Sequence, residues 1–119
     1  KQRAKANVVE SMKIIGDVQG KNVIILDDMV DTAGTITKAA DLMIENGALS
    51  VRAFASHGVL SDPATERIEK SKLTAIYFTD SIPLKKESEK IKVLSVADLI
   101  ANTIINVNTN KSISSSYLV

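Results

Sequence analysis

The chain has 119 residues, a formal net charge of +1 and an apolar fraction of 45%, the composition of one folded domain or a large part of one. The near-neutral charge argues against a nucleic-acid partner, and the absence of cysteine excludes disulfides and thiolate metal sites. No apolar run is long enough to span a membrane, so we predict a cytoplasmic protein with no membrane partner.

The first residues predict a mobile, basic segment. Residues 1–7 (KQRAKAN) lack large apolar side chains, and on charge alone they read as a solvated terminus. Residues 8–15 are apolar with polar interruptions and predict a strand. Gly16 and Gly20 then punctuate a turn, which suggests a hairpin leading into the next strand. The chain opens in a polar stretch without an initiator methionine, so we expect it to be a fragment of a longer protein.

The most informative stretch is residues 23–35, VIILDDMVDTAGT. Its four leading apolar residues predict a strand buried on both faces. An acidic pair and a turn of small residues follow, and residues 35–46 then have a helical period that ends at Gly47. The turn is therefore predicted between the carboxyl end of a strand and the start of a helix. Open α/β sheets bind their ligands at that edge.

The residue types in this turn suit a sugar phosphate. The first N–H groups of a helix have no partner within it, and the Thr32 and Thr35 hydroxyls add donors for a phosphate. Gly34 permits close approach to the backbone. Ionised Asp27 and Asp28 only accept hydrogen bonds, so they fit the hydroxyls of the same ligand, or a magnesium ion beside its phosphate. The alternative is a solvated turn with a helix cap.

The remainder repeats strand and helix. The predicted strands are residues 51–56, 73–79 and 91–94, and the first of them is parallel to the strand of residues 23–26. A helix begins with Asp62 as its cap and Pro63 in first position, and residues 83–90 form a charged loop. His57, the only histidine, follows a strand at the ligand edge, where a hydrogen-bonded loop residue is commoner than a ligand or base.

Ser95, with Asp98 three residues later, predicts the start of the last helix. Its apolar stripe predicts packing against the core and consists of Val96, Leu99, Ile100, Thr103, Ile104 and Val107. The tail, residues 108–119, has the low complexity typical of disorder. No Walker loop, GxGxxG or zinc spacing occurs, so the predicted phosphate site is of the helix N-terminus type.

The stretch VIILDDMVDTAGT resembles the phosphoribosyl-pyrophosphate motif of the type I phosphoribosyltransferase fold. Its Asp-Thr-Ala-Gly-Thr ending is similar to the version in the ribose-phosphate pyrophosphokinase family, and the similarity runs from Lys1 to Leu118. The resemblance implies an α/β fold in which a mainly parallel sheet has helices on both faces. Residues 1–119 would be the C-terminal phosphoribosyltransferase-like domain of a longer chain, or most of it.

The resemblance also implies a reaction, namely transfer of diphosphate from ATP to ribose 5-phosphate with Mg²⁺, giving phosphoribosyl pyrophosphate and AMP. Lys1 and Arg3 would stabilise the transferred group. Asp27 and Asp28 would hold the ribose hydroxyls and help to place the metal. The 5-phosphate would be held by Asp31, Thr32, Ala33, Gly34 and Thr35.

In the resembled family, a serine-rich terminus meets a neighbouring subunit near an allosteric phosphate site, and Ser112 and Ser114 match that pattern. We therefore expect a homo-oligomer for the full-length protein. The family often has Asn where Asp80 stands, so a polar role for Asp80 is open. Two alternatives are a nucleobase phosphoribosyltransferase, for which no hood segment is found, and a non-catalytic regulatory homologue, against which Lys1 and Arg3 argue.

Overall fold

The computed structural model describes residues 12–112, in which strands and helices alternate until the last strand. Most predicted elements from residue 22 onward are found with bounds close to those expected. In chain order, the elements are β1 (Asn22–Val30), α1 (Gly34–Glu45), β2 (Ser50–Gly58), α2 (Ala64–Lys70), β3 (Ala75–Thr79), β4 (Ile91–Leu94) and α3 (Ala97–Asn108).

The four strands form one parallel sheet in the order β1-β2-β3-β4. One row across it runs from Ile25 through Ala53 and Ile76 to Ile91. Crossovers between adjacent parallel strands are right-handed, so α1 and α2 lie on the same face of the sheet. Packing of α1 against both β2 and α2 agrees with this arrangement. The predicted α/β class with a parallel sheet is confirmed.

The core lies between the sheet and these two helices, and it is mainly aliphatic, as the composition predicts. Its completely buried residues are Ala40, Val51, Ala53, Ala64, Ile68 and Ile76. Three of the six are alanines, whose small side chains let helix and sheet backbones approach closely. The parallel strands are thus fixed on one side, and their carboxyl ends are aligned at one edge.

The described residues leave the opposite side of the sheet largely uncovered, and here the prediction that β1 is buried on both faces is wrong. Ile24 and Leu26 are 61% and 77% exposed. Across the register from Leu26, the half-buried rings of Phe54 and Tyr77 stack with their centroids 4.6 Å apart. We call the face formed by Ile24, Leu26, Phe54, Tyr77 and Leu94 the open face. A run of apolar residues signals a strand, but a buried strand also needs a covering layer on each side.

The stripe of α3 was predicted to be core, and this prediction is also wrong. No residue of α3 is buried, and Leu99, Ile100, Ile104 and Val107 are all at least two-fifths exposed. None of the described elements packs extensively along this helix. A helical period identifies the residues that share a face, whereas burial depends on a partner for that face. No helix within residues 12–112 has the length and apolar character needed to cross a membrane.

Residues 12–15 are not part of a strand, so the prediction of a strand over residues 8–15 is wrong where it can be compared. Residues 8–11 lie outside the described part. Among described residues, β1 pairs only with β2, so the predicted hairpin is not found there. Instead, the turn beside Gly20 contacts the end of α1, with Gly20 N–H donating to Gly47 O at 2.9 Å. Favourable strand residues form a strand only where a neighbouring edge is available for pairing.

The start of α2 also differs from its prediction. The helix begins at Ala64 after Pro63, and Asp62 makes no capping bond to it. The Asp62 carboxylate accepts a bond from Lys86 Nζ at 2.6 Å instead. Lys86 belongs to the predicted charged loop, 24 residues further along the chain. Asp62 therefore pairs with a lysine that is distant in sequence, although the local sequence predicts that it caps the helix.

Asp80 holds the start of α3, which gives it a structural role that the sequence left open. Its Oδ2 accepts from Ser95 Oγ at 2.6 Å, and its Oδ1 accepts from Val96 N at 3.1 Å. Ser95 Oγ in turn accepts from Ala97 N at 3.2 Å, but the residue in the cap position is Val96, so the prediction that Ser95 caps this helix is wrong. The Ser95 and Val96 bonds stabilise the charged carboxylate and lower the pKa of Asp80.

We expect the start of α3 to loosen as the pH falls through this lowered pKa. Because the pKa of Asp80 is lower in the folded than in the unfolded state, its contribution is complete above the unfolded value and is lost below the folded one. Amide-exchange protection of Val96 and Ala97, corrected for the intrinsic rate at each pH, measures this loss. Asp80→Asn keeps an acceptor oxygen without titrating, so its protection should be flat across the same range. An identical acid-induced loss in both proteins would contradict the assignment.

Candidate functional site

The loop between β1 and α1 borders a cavity of about 390 Å³ at the carboxyl end of β1. Residues 27–36 line this cavity. It therefore brings together all seven residues for which a substrate contact was predicted, and their individual roles stay predictions. Those residues are Asp27, Asp28, Asp31, Thr32, Ala33, Gly34 and Thr35.

Ala33, the residue before α1, has the left-handed backbone conformation (φ 64°, ψ 12°) and is 4% exposed. Such a conformation costs a residue with a Cβ about 1–2 kcal/mol, so neighbouring contacts have to maintain it. Thr37 supplies two of them, since its Oγ1 donates to Ala33 O at 2.6 Å and its backbone N at 3.2 Å. The first turn of α1 is thus fixed in shape without a ligand.

This fixed turn orients donors toward the mouth of the helix. In a trans peptide the C=O and the following N–H point in opposite directions. Since Ala33 O points along α1 toward Thr37, the Gly34 N–H points away from the helix. The α1 first turn contains no acidic residue that could occupy this position. Unpaired N–H groups and the helix dipole make such an end suitable for an anion.

The loop is also held from the segment after β2. Val30 O accepts from the backbone N of Val59 at 3.0 Å and of Leu60 at 3.2 Å. From α2, Arg67 Nη1 donates to Thr32 O at 3.2 Å. Sequence reasoning did not identify Arg67, because its charge looks like part of a solvated helix face. The contact joins residues 35 positions apart, and only the packing of α2 beside α1 reveals it.

Asp27 and Asp28 are both exposed in the last part of β1. Asp27 Oδ1 accepts from the Asp28 backbone N at 2.8 Å. The Asp28 carboxylate makes no hydrogen bond or ion pair within residues 12–112. Successive side chains of a strand leave it on opposite faces, so the two carboxylates can contact different parts of one ligand. Their chemistry is limited to accepting hydrogen bonds and binding cations.

This pair fits a magnesium ion that is shared with a substrate. No group of three or more His, Cys, Asp or Glu side chains that could hold a metal occurs in the described part of the chain. Mg²⁺ in phosphoryl-transfer sites is usually held by one or two carboxylates, substrate phosphate oxygens and water. Since the two carboxylates leave β1 on opposite faces, one of them, either Asp28 or the second oxygen of Asp27, would supply the carboxylate of that smaller set. An ion bound there would offset phosphate charge.

His57 lies at the end of β2, in register with Met29 of β1. Its Nδ1 is 2.7 Å from Ser81 Oγ, which also donates to Ser56 O at 3.3 Å. Thr79 Oγ1 donates to the same carbonyl at 2.6 Å. The sheet edge therefore continues from the cavity into a row of polar groups. Thr79 is the last residue of β3 and Ser81 follows that strand, and their bonds to the end of β2 were not predicted from the sequence.

The remaining predicted residues are not part of this cavity as the structure describes it. Lys1, Arg3 and Ser114 lie outside the described residues. Ser112 is exposed near the end of the described part.

Comparison with known proteins gives consistent matches. Residues 2–119 match the family model of the phosphoribosyl synthetase-associated domain. The ribose-phosphate pyrophosphokinase of Porphyromonas gingivalis is 59% identical over 117 residues, which are 98% of this chain and 37% of that protein. Its counterpart in Wolinella succinogenes is 55% identical over 118 residues, covering 99% and 38% of the two chains.

Among solved structures, the phosphoribosylpyrophosphate synthetase of Mycobacterium smegmatis matches with a TM-score of 0.80 and 42% identity. The match covers 87% of this chain and 35% of that one. The chain thus spans little more than a third of the length of these relatives. The resemblance to ribose-phosphate pyrophosphokinases that the VIILDDMVDTAGT stretch indicates is confirmed. The chain belongs to the phosphoribosyl synthetase-associated domain family.

Proposed function

We propose that the protein containing this chain transfers a diphosphate group from ATP to ribose 5-phosphate, giving phosphoribosyl pyrophosphate and AMP. One observation carries the proposal. The cavity at the end of β1 is lined by an anion-accepting helix start and by two exposed carboxylates. Few ligands need both kinds of group, and a sugar phosphate is one that does. The similarity to named ribose-phosphate pyrophosphokinases supports the same reaction.

In this proposal the 5-phosphate occupies the start of α1. It accepts hydrogen bonds from backbone N–H groups of the loop over residues 31–35 and from the hydroxyls of Thr32 and Thr35. The sugar ring extends toward β1, where Asp27 and Asp28 accept from its hydroxyls. The fixed left-handed turn at Ala33 means that the loop loses little conformational freedom when the phosphate binds.

The reaction joins the anomeric oxygen of ribose 5-phosphate to the β-phosphorus of ATP. The bond from that phosphorus to the oxygen it shares with the α-phosphorus breaks, AMP leaves, and the anomeric hydroxyl loses its proton. Catalysis of this kind depends on positioning and on cations beside the oxygens that gain charge. We assign Lys1 and Arg3 to that task, and Asp27 and Asp28 to holding Mg²⁺. Homo-oligomer formation, a phosphate-regulated site near Ser112 and Ser114, and a cytoplasmic location belong to the same proposal.

The test is to incubate the full-length protein with ATP, ribose 5-phosphate and Mg²⁺ and to measure AMP. We expect AMP to form only when both substrates are present. Formation of a nucleotide from phosphoribosyl pyrophosphate and a nucleobase, without AMP from ATP, would identify a transferase of the alternative class. No turnover in either assay would favour the non-catalytic homologue. For the isolated 119-residue chain, we expect weak ribose 5-phosphate binding and little turnover, and appreciable AMP formation by it would contradict that.

A further inference from the structure

Arg67 extends from α2 to the loop between β1 and α1, where one of its nitrogens meets two features. Nη1 donates to Thr32 O at 3.2 Å. The same atom lies 3.2 Å from the point that a Cβ on Gly34 would occupy. Apart from the Arg67 Cζ at 4.0 Å, no other atom of residues 12–112 lies within 4 Å of that point once the chain neighbours and the α1 backbone are set aside. A single guanidinium group therefore bonds to one end of the three-residue segment from Thr32 to Gly34 and lies beside the other end.

The backbone that carries Arg67 is firmly placed. The adjacent Ile68 is completely buried, as is Ala64 at the start of α2, and Arg67 N donates to Pro63 O at 3.0 Å. Two nearby carboxylates are engaged elsewhere, since Glu66 pairs with Lys70 and Asp62 with Lys86. Within residues 12–112, no carboxylate forms an ion pair with Arg67. Its positive charge is thus held beside the loop without neutralisation by a described residue.

We infer that Arg67 is a positioning residue for the sugar-phosphate site. Its bond to Thr32 O orients that peptide plane, so that the N–H of Ala33 points away from α2. Thr37 orients the next peptide in the same manner through Ala33 O. Two consecutive donors are thereby presented together to a phosphate, and the guanidinium charge adds attraction from the side. The inference rests on the function proposed above.

Arg67 also lies close to Gly34. The φ of Gly34 lies outside the left-handed region, so its backbone does not itself demand glycine. Space is the constraint, because a methyl group there would press against the guanidinium. Gly34 thus allows Arg67 to approach the loop, in addition to the close ligand approach that the sequence suggested.

The test uses the full-length protein with Arg67→Ala and Arg67→Lys, assayed at varied ribose 5-phosphate and at varied ATP. Loss of the hydrogen bond should raise the KM for ribose 5-phosphate about three- to tenfold, with kcat and the KM for ATP nearly unchanged. Arg67→Lys keeps a charged donor and should recover part of the loss. Lys70→Ala removes a charge from the same helix without touching the loop, and it should change neither KM.

An unchanged KM for ribose 5-phosphate in Arg67→Ala, in a protein whose wild type forms AMP, would overturn this inference and leave the proposed function intact. A wild type that forms no AMP would overturn both. Combining Gly34→Ala with Arg67→Ala tests the contact between them. The methyl group should raise the KM for ribose 5-phosphate less when Arg67 is absent. If Gly34→Ala raised this KM equally with and without Arg67, the methyl group would be in contact with the ligand and not with Arg67.

Discussion

Replacing Asp28 with Ala should weaken ribose 5-phosphate binding about ten- to a hundredfold, because hydrogen bonds to a charged group contribute about 1.5–3 kcal/mol. Asp28 is the cleaner of the two carboxylates to remove. Its side chain is exposed and has no bond within the described residues, whereas Asp27 also accepts from the Asp28 backbone. The variant should therefore keep its stability. Calorimetric titration with ribose 5-phosphate, with and without Mg²⁺, measures the effect.

The direction of this change is informative. If Asp28 merely lay near the phosphate, its removal would relieve repulsion and tighten binding. An unchanged or tighter affinity would therefore contradict the assignment. A loss that appears only with Mg²⁺ would place Asp28 on the metal, and a loss in both conditions would place it on the sugar. Glu45→Ala, an equal change of charge at the far end of α1, serves as the control and should leave the affinity unchanged.

Replacing Gly58 with Ala should lower the free energy of unfolding by about 1–3 kcal/mol through overpacking. A Cβ on Gly58 would lie 2.9 Å from Cγ of Phe78 and 3.0 Å from its Cδ1. Phe78 is 3% exposed and belongs to the core, so its ring has little room to move. The φ of Gly58 is outside the left-handed region, so the loss is steric. Chemical denaturation of the wild type and the variant measures it.

Gly34→Ala is the matched control for this substitution. Its methyl group would meet the tip of the flexible Arg67 side chain at 3.2 Å, so the loss of stability should be smaller. In the Phe78→Ala background, which lacks the Cγ, Cδ1 and Cδ2 atoms of the contact, Gly58→Ala should cost less stability than it does in the wild type. Equal stability of wild type and Gly58→Ala would contradict the packing at this point.

The elements that the sequence predicted well are those whose signals are local. β4 has the predicted bounds, and α1 ends beside Gly47, whose φ of +95° suits a helix terminus. The errors share one cause, which is a dependence on a distant partner. Burial of the apolar stripe of α3 depends on a covering surface. Asp62 forms an ion pair with Lys86 of another loop and so does not cap α2. A short window of sequence contains neither piece of information.

In the candidate site, too, the residues close together in sequence were predicted and the contacts between distant residues were not. The residues that line the cavity are consecutive, so their hydrogen-bonding groups and charges could be recognised within one stretch of sequence. The groups that shape the loop were harder to predict. Thr37 lies within an ordinary helical pattern, and Arg67 approaches from another helix. Ser81 meets His57 from 24 residues away. These contacts depend on the alignment of the strand ends, which only the folded sheet provides.

The open face affects the tendency of the isolated chain to associate during purification. Its solvent-facing Ile24, Leu26 and Leu94 lie together on one face of the sheet, and grouped apolar side chains of this kind favour association. Salts such as sulfate strengthen apolar association, whereas cooling weakens it. Purification at low temperature and without salting-out steps is therefore preferable, and light scattering should rise with sulfate concentration while the helix and strand content stays unchanged.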